Sequence, residues 1–65
     1  MKHMRRYIAR TVLVTSTGGT FKGTLDAADA DGVTLGHVTG YGANAGPLDG
    51  QVVIPTAAIQ WAQVV

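Results

Sequence analysis

The sequence predicts an all-β fold, a five-stranded and strongly bent small barrel preceded by a short N-terminal arm or helix. Apolar and polar residues alternate with a period of two along segments rich in valine and threonine, which is typical of half-buried strands. Turns that contain glycine, aspartate or proline separate these segments. A chain of 65 residues is sufficient for one domain, so we interpret residues 1–10 as the arm and residues 11–65 as the barrel.

The first two predicted strands form a hairpin. Residues 11–16 alternate in polarity, and Val12 and Val14 share the face that we expect to point inward. The glycine pair in residues 17–19 permits positive φ angles, which favours a tight turn. A second strand is therefore expected over residues 20–27.

Glycine and aspartate positions indicate where the chain bends after this turn. In the second strand, Phe21 and Leu25 are predicted core residues, and Gly23 between them leaves room for a sharp bend or for a neighbouring strand. Residues 29–32 are predicted to form a turn, because aspartate carboxylates accept hydrogen bonds from nearby backbone N–H groups.

The third predicted strand covers residues 33–39, with Val33, Leu35 and His37 on its inner side. It leads into a glycine-rich loop over residues 40–46.

Two more strands are predicted in the C-terminal part of the chain. Residues 47–54 form the fourth strand, which Pro55 ends because it has no N–H for a ladder. Residues 56–58 are sufficient for one helical turn, and residues 59–65 form the fifth strand.

This fifth strand is apolar and contains neither a charged residue nor a proline. Ile59 and Trp61 are expected on one face of it, with Trp61 in the core or in a subunit interface. An exposed strand edge carries unpaired N–H and C=O groups that pair readily with another strand. We therefore expect an oligomer or partner interface that contains Val52, Val53, Ile54, Ile59, Trp61, Val64, Val65 and Tyr41.

Charge is distributed unevenly along the chain. The arm holds four cations, which are Lys2, Arg5, Arg6 and Arg10. Residues 11–65 hold one lysine and four aspartates, and therefore carry a net charge of −3. Such an arm is suited to contact an acidic protein surface or phosphate groups, and a solvated tail remains an open alternative. Residues 2–8 are predicted to be a short helix that only packing can hold.

The composition argues against several classes of function. The chain has no cysteine or glutamate and a single serine, so we expect neither an enzyme nor a thiolate site. His3 and His37 are too few for a metal site, and the sequence from Asp29 to Gly32 lacks the later ligands of a calcium loop. We expect no metal, no cofactor and no membrane partner, and a soluble protein of the cytoplasm.

Individual residues of the hairpin and of the following turn resemble the first Sm motif of the Sm-like family. They are Val12-Leu13-Val14-Thr15, Gly18 or Gly19, Phe21-Lys22-Gly23-Thr24-Leu25, Asp29 and Leu35. Residues 54–59 stand where the second Sm motif would be. The resemblance covers residues 11–65 and implies a barrel of the Sm-like kind that assembles through its fourth and fifth strands.

The base-binding residues of RNA-binding Sm-like proteins are missing from this chain. In those proteins, an asparagine shortly after the motif aspartate and an arginine-glycine pair in the second motif build the pocket. Gly32 or Val33 stands in the place of the asparagine, and Pro55-Thr56 replaces the pair. The resemblance therefore implies assembly more than RNA recognition.

A second resemblance carries the functional hypothesis. Two segments are similar to small proteins encoded near virion genes of tailed actinobacteriophages: Pro47-Leu48-Asp49-Gly50-Gln51-Val52-Val53-Ile54-Pro55 and Trp61-Ala62-Gln63-Val64-Val65. It implies a non-enzymatic phage structural protein, a capsid-associated or decoration protein of the virion, that forms a homo-oligomer or binds the capsid protein.

The alternative is an RNA- or DNA-binding Sm-like ring that uses Arg5, Arg6, Arg10 and Lys22 on phosphates. For Tyr41, contact with a partner protein, stacking on a base and no role all stay open.

Overall fold

The computed structural model describes residues 2–42 and 45–65, with the side chains of residues 2 and 3 excepted. It confirms the predicted all-β class. Its strands are β1 (Thr11–Ser16), β2 (Gly19–Ala28), β3 (Gly32–Tyr41), β4 (Gly46–Leu48), β5 (Val52–Pro55) and β6 (Ile59–Val64). Short 3-10 helices form at Lys2–Tyr7 and at Thr56–Ala58, and the latter is the predicted helical turn between the last two strands.

All six strands belong to one antiparallel sheet in which β4, β3, β2, β1 and β6 are successive neighbours. Strand β5 also pairs with β3, through residues 32–35, whereas β4 pairs with residues 38–40. Because β2 occupies the other edge of β3, β4 and β5 lie end to end along a single edge. Strand β6 therefore terminates the opposite side of the sheet.

The predicted fourth strand is divided in two, so the sheet has six strands where the sequence predicts five. Residues 49–51 leave the ladder between β4 and β5. Gly50 has a φ of +75°, a left-handed conformation that interrupts a strand. The two pieces still pair with one strand, so the predicted neighbour relationship is unchanged.

The inner side of the bent sheet forms the hydrophobic core. The alternation predicted for β1 is confirmed, because Val12 and Val14 are fully buried. Leu25 is fully buried as predicted, whereas Phe21 is only partly buried at the margin of the core. The remaining buried apolar residues are Met4, Ala28, Val33, Leu35, Val38 and Ile54.

Strands β2 and β3 cross closely at Gly23, as its position predicts. A Cβ atom at Gly23 would lie 2.7 Å from the carbonyl oxygen of Gly36 and 3.3 Å from a methyl group of Val38. The register shifts here, so that His37 and Val38 together face Gly23 as a β-bulge. The bulge bends the sheet at the point where no side chain separates the two strands.

The same bulge contradicts the predicted inward position of His37. His37 adopts a φ of +50° and is exposed, and Val38 takes the inner position. A strict period of two predicts the inward position, but an extra residue in the strand moves every later side chain to the other face.

A second bulge separates the faces of Ile59 and Trp61, which the sequence places together. The register shifts between Thr15 and Ser16, so Ser16 pairs with Ile59 and Thr15 pairs with Trp61. Ile59 packs against the core, whereas Trp61 is 50% exposed on the outer side. Of the two positions predicted for Trp61, the core is therefore wrong, and the subunit interface stays a prediction.

The N-terminal segment packs against its own barrel. Met4 is buried in the core, and the Arg5 Nε–H donates to the Ala28 carbonyl oxygen (3.0 Å). The Ala9 N–H donates to the Leu25 carbonyl oxygen (2.8 Å), and the Leu25 N–H donates to the Arg10 carbonyl oxygen (2.9 Å). These contacts hold the N-terminal segment against β2.

The close crossing at Gly23 gives a test of the bend. Gly23→Ala is expected to lower the free energy of unfolding by about 1–3 kcal/mol, because its methyl group must displace backbone atoms of β3. Gly18→Ala is the matched control, since a Cβ there meets only the Ser16 hydroxyl at 3.9 Å. Urea denaturation of both variants measures the difference, and equal stabilities would contradict the close approach.

The packing of the N-terminal segment can be tested with two apolar residues of that segment. Met4→Ala is expected to cost about 2–4 kcal/mol of unfolding free energy, because it opens a cavity in the core. Ile8→Ala is the control and is expected to cost less than about 0.5 kcal/mol, because Ile8 is 45% exposed. Thermal unfolding followed by circular dichroism measures both. A Met4 variant as stable as the Ile8 variant would show that the segment does not belong to the core.

Candidate functional site

The strand register places eight side chains on the outer side of the sheet, in two rows that cross β6, β1, β2 and β3. One row is Trp61, Thr15, Thr20 and Tyr41, and the other is Gln63, Leu13, Lys22 and Thr39. We call these eight residues the outer face. Their inner neighbours are buried core residues, so the faces of the sheet differ sharply in polarity.

Two exposed aromatic side chains end the first row. Tyr41 is 43% exposed on β3, and Trp61 is 50% exposed on β6. They are three strand spacings apart, about 14 Å. Between them, the hydroxyl groups of Thr15 and Thr20 form a hydrogen bond of 3.2 Å. The row is thus a polar floor with an aromatic ring at each end.

A groove of about 520 Å³ lies on this side of the sheet. Leu13 and Val65 supply apolar lining, and Tyr41, Thr20 and Gln63 supply groups that can form hydrogen bonds. Lys22 also lines the groove and is the only charged residue of the outer face. The groove combines one cation with an apolar floor and an aromatic wall.

The acidic side chain next along β2 is engaged elsewhere. Asp26 lies four residues beyond Lys22, and its carboxylate accepts a hydrogen bond from Gln51 Nε2 (3.0 Å). It lines a second, smaller pocket of about 360 Å³ around Gly36 and His37. Lys22 therefore faces the groove, and no other residue of the outer face carries a carboxylate side chain.

Strand β6 borders the groove and ends the sheet. The Val65 N–H donates to the Thr11 carbonyl oxygen (2.9 Å). This hydrogen bond shows which residues of β6 direct their N–H and C=O groups towards β1. Because hydrogen-bonded and outward positions alternate along an edge strand, the backbone groups of Ala62 and Val64 point away from β1. Within the described part of the chain, no strand pairs with this edge.

The predicted interface residues fall into two groups. The four exposed ones are Tyr41, Val53, Trp61 and Val65. Ile54 is a core residue, and Val52, Ile59 and Val64 are partly buried against the core. The structure brings Tyr41 and Trp61 into one row, and Val65 into the adjoining groove. Val53 stands apart on β5, 69% exposed.

Two of the predicted arm cations contact their own chain. Arg5 bonds to the barrel through Ala28, and the Arg6 guanidinium lies 5.9 Å from the ring centre of Tyr7. Arg10 is exposed, and its N–H donates to the Tyr7 carbonyl oxygen (2.9 Å). The side chain of Lys2 lies outside the described residues.

Asp29 forms the predicted turn. Its Oδ1 accepts hydrogen bonds from the N–H groups of Asp31 (2.8 Å) and Gly32 (3.1 Å). Over residues 2–42 and 45–65, no group of three histidine, cysteine or acidic side chains is arranged to hold a metal ion. The side chain of His3 lies outside the described residues. No helix in the described ranges is long and apolar enough to cross a membrane.

Comparison with known proteins gives a structural neighbour. No protein-family model matches the chain, and no curated protein does. Among solved structures, it is similar to a chain in a crystal structure described as the NatC complex bound to CoA. The two are 26% identical with a TM-score of 0.78, and the match covers 91% of this chain and 79% of the other.

This neighbour contradicts the predicted function. The chain that this protein resembles comes from the NatC complex and not from a phage particle, so the capsid, decoration and virion roles are wrong. The same finding overturns the alternative, an RNA- or DNA-binding Sm-like ring. The relationship to the Sm-like family itself stays a prediction. What the neighbour supports is a small all-β fold, and, since the neighbour is itself a chain of a multi-protein complex, it is consistent with binding to a partner.

Sequence reasoning did not find the groove. It singled out Lys22 only as one phosphate contact among several cations, and it gave Leu13, Thr20 and Gln63 no binding role. The signal was present, since the period of two in β1 and β2 places Leu13, Thr20 and Lys22 opposite the core residues. The contribution of β6 could not be found in that way, because the bulge beside Thr15 reverses its faces.

Proposed function

We propose that this protein is a non-enzymatic docking subunit of a multi-protein complex, and that the free edge of β6 accepts a strand from a partner protein. The observation that carries the proposal is the composition of this edge. In the part of the chain that the structure describes, β6 pairs with a strand on one side only, and none of its six residues is charged or is a proline. An unprotected edge of this kind is suited to strand addition.

The opposite side of the sheet differs from β6. Strands β4 and β5 have three and four residues, and each contains a proline, Pro47 or Pro55. Short strands and prolines both disfavour further pairing at an edge. The β6 edge is suited to accept another strand, whereas the opposite edge is not. This difference favours a single partner of a different kind over repeated pairing of identical copies.

The structural neighbour supports an assembly role independently of this edge. The matched chain is part of the NatC complex, and it shares 26% of its residues with this protein over 91% of this chain. Exposed Trp61 and Val65 next to the edge add the apolar surface on which interfaces depend.

The experiment first identifies the partner by cross-linking and purification, and then measures its affinity with purified proteins. Ala62→Pro is expected to weaken binding about tenfold, because it removes an outward N–H and leaves a partner carbonyl group unsatisfied. The internal ladder with β1 keeps its hydrogen bonds, since the N–H of Ala62 points outward. Ala62→Ser is the matched control, because it keeps that N–H.

Hydrogen exchange gives a second measurement at residue resolution. On complex formation, the amides of Ala62 and Val64 are expected to gain protection, whereas that of Gln63 is protected already in the free protein. Unchanged affinity of Ala62→Pro, with no new protection at these amides, would refute strand addition at β6.

A further inference from the structure

The cation in the groove of the outer face limits what can bind there. Lys22 is partly buried between Leu13 on β1 and Thr39 on β3, which are uncharged cross-strand neighbours. The groove thus presents one cationic side chain among uncharged side chains. A ligand with one negative charge is complementary to it.

The rest of the lining specifies the remainder of that ligand. Leu13, Val65 and the ring of Tyr41 provide apolar contact, whereas Gln63 and Thr20 offer hydrogen bonds at the sides of the groove. A single cation is a poor match for a nucleic acid strand, which presents one charge at every phosphate. It matches a lone carboxylate flanked by apolar groups.

The position of the groove connects it with β6. Gln63 lines it from β6, and Val65 lines it immediately after β6, so it opens beside the unpaired edge. A polypeptide that adds a strand to β6 can continue from that strand across the outer face. One partner segment can therefore occupy both the edge and the groove.

We propose that the groove binds an acidic residue, flanked by apolar residues, in the partner segment that docks at β6, and that Lys22 selects its carboxylate. This inference rests on the proposed function, because it assumes a protein partner. It adds the chemistry by which that partner is recognised.

Peptides and protein variants that differ in charge test the proposal. The probes are three capped peptides, Ser-Leu-Glu-Leu-Ser and its versions with glutamine or lysine at the centre, titrated into the protein and followed by NMR. The glutamate peptide is expected to bind roughly three to ten times more tightly than the glutamine peptide and to shift the signals of Leu13, Lys22 and Gln63. The lysine peptide is expected to bind most weakly.

Substitutions at Lys22 then test whether the preference for the glutamate peptide arises in the groove. Lys22→Gln is expected to abolish the preference for glutamate, and Lys22→Glu to reverse it in favour of the lysine peptide. Arg10→Gln is the matched control, because it removes an exposed positive charge outside the groove. The control is expected to keep the wild-type preference.

Several outcomes would overturn the proposal. Equal affinity for the three peptides, or a preference that Lys22→Glu does not change, rules out selection by Lys22. Tighter binding of a single-stranded oligonucleotide than of the glutamate peptide, lost in Lys22→Gln, would assign the groove to nucleic acid. None of these outcomes bears on the Ala62→Pro measurement with the purified partner, so failure of the groove and failure of strand addition remain distinguishable.

Discussion

The close crossing of β2 and β3 at Gly23 is the constraint on which the rest of the structure depends. Any side chain at this position would collide with the backbone of β3, because even a Cβ atom would lie 2.7 Å from the Gly36 carbonyl oxygen. The crossing allows a two-residue bulge, and the bulge turns β3 sharply enough to pair with β4 at one end and β5 at the other. A single strand thus organises both sides of the core.

A chain this short buries only a modest fraction of its surface, so elements outside the main strand ladder contribute to its core. Gly32 lets β3 begin in direct contact with the backbone of Ile54, which brings β5 over the core. Met4 fills the remaining end from outside the sheet. The N-terminal cations consequently follow the surface of their own barrel, and Arg5 bonds to Ala28 in the strand beneath it. Their charge pattern in the sequence does not reveal this, because a buried methionine determines where the segment lies.

Much of the fold could be predicted from local patterns. Alternation identified β1 and its buried valines, Gly23 marked the crossing, and Asp29 marked the turn before β3. These features depend on residues close together in the chain. The faces of His37 and Trp61 could not be predicted, because each depends on a bulge that the pairing strand imposes. Alternation of apolar and polar residues does not show where an extra residue is inserted into a strand, because the sequence at these bulges has no distinctive composition.

The candidate site depends on the same bulges. Without the shift beside Thr15, Trp61 would turn inward with Ile59, and Gln63 would leave the groove with it. With this bulge, the inner side of β6 packs on the core and its outer side lines the groove, within six residues. A strand used in this way can present its backbone edge and its side chains to one partner at once. Recognition then depends on two independent kinds of contact, hydrogen bonds along the edge and charge in the groove, and a polypeptide that satisfies only one of them binds weakly.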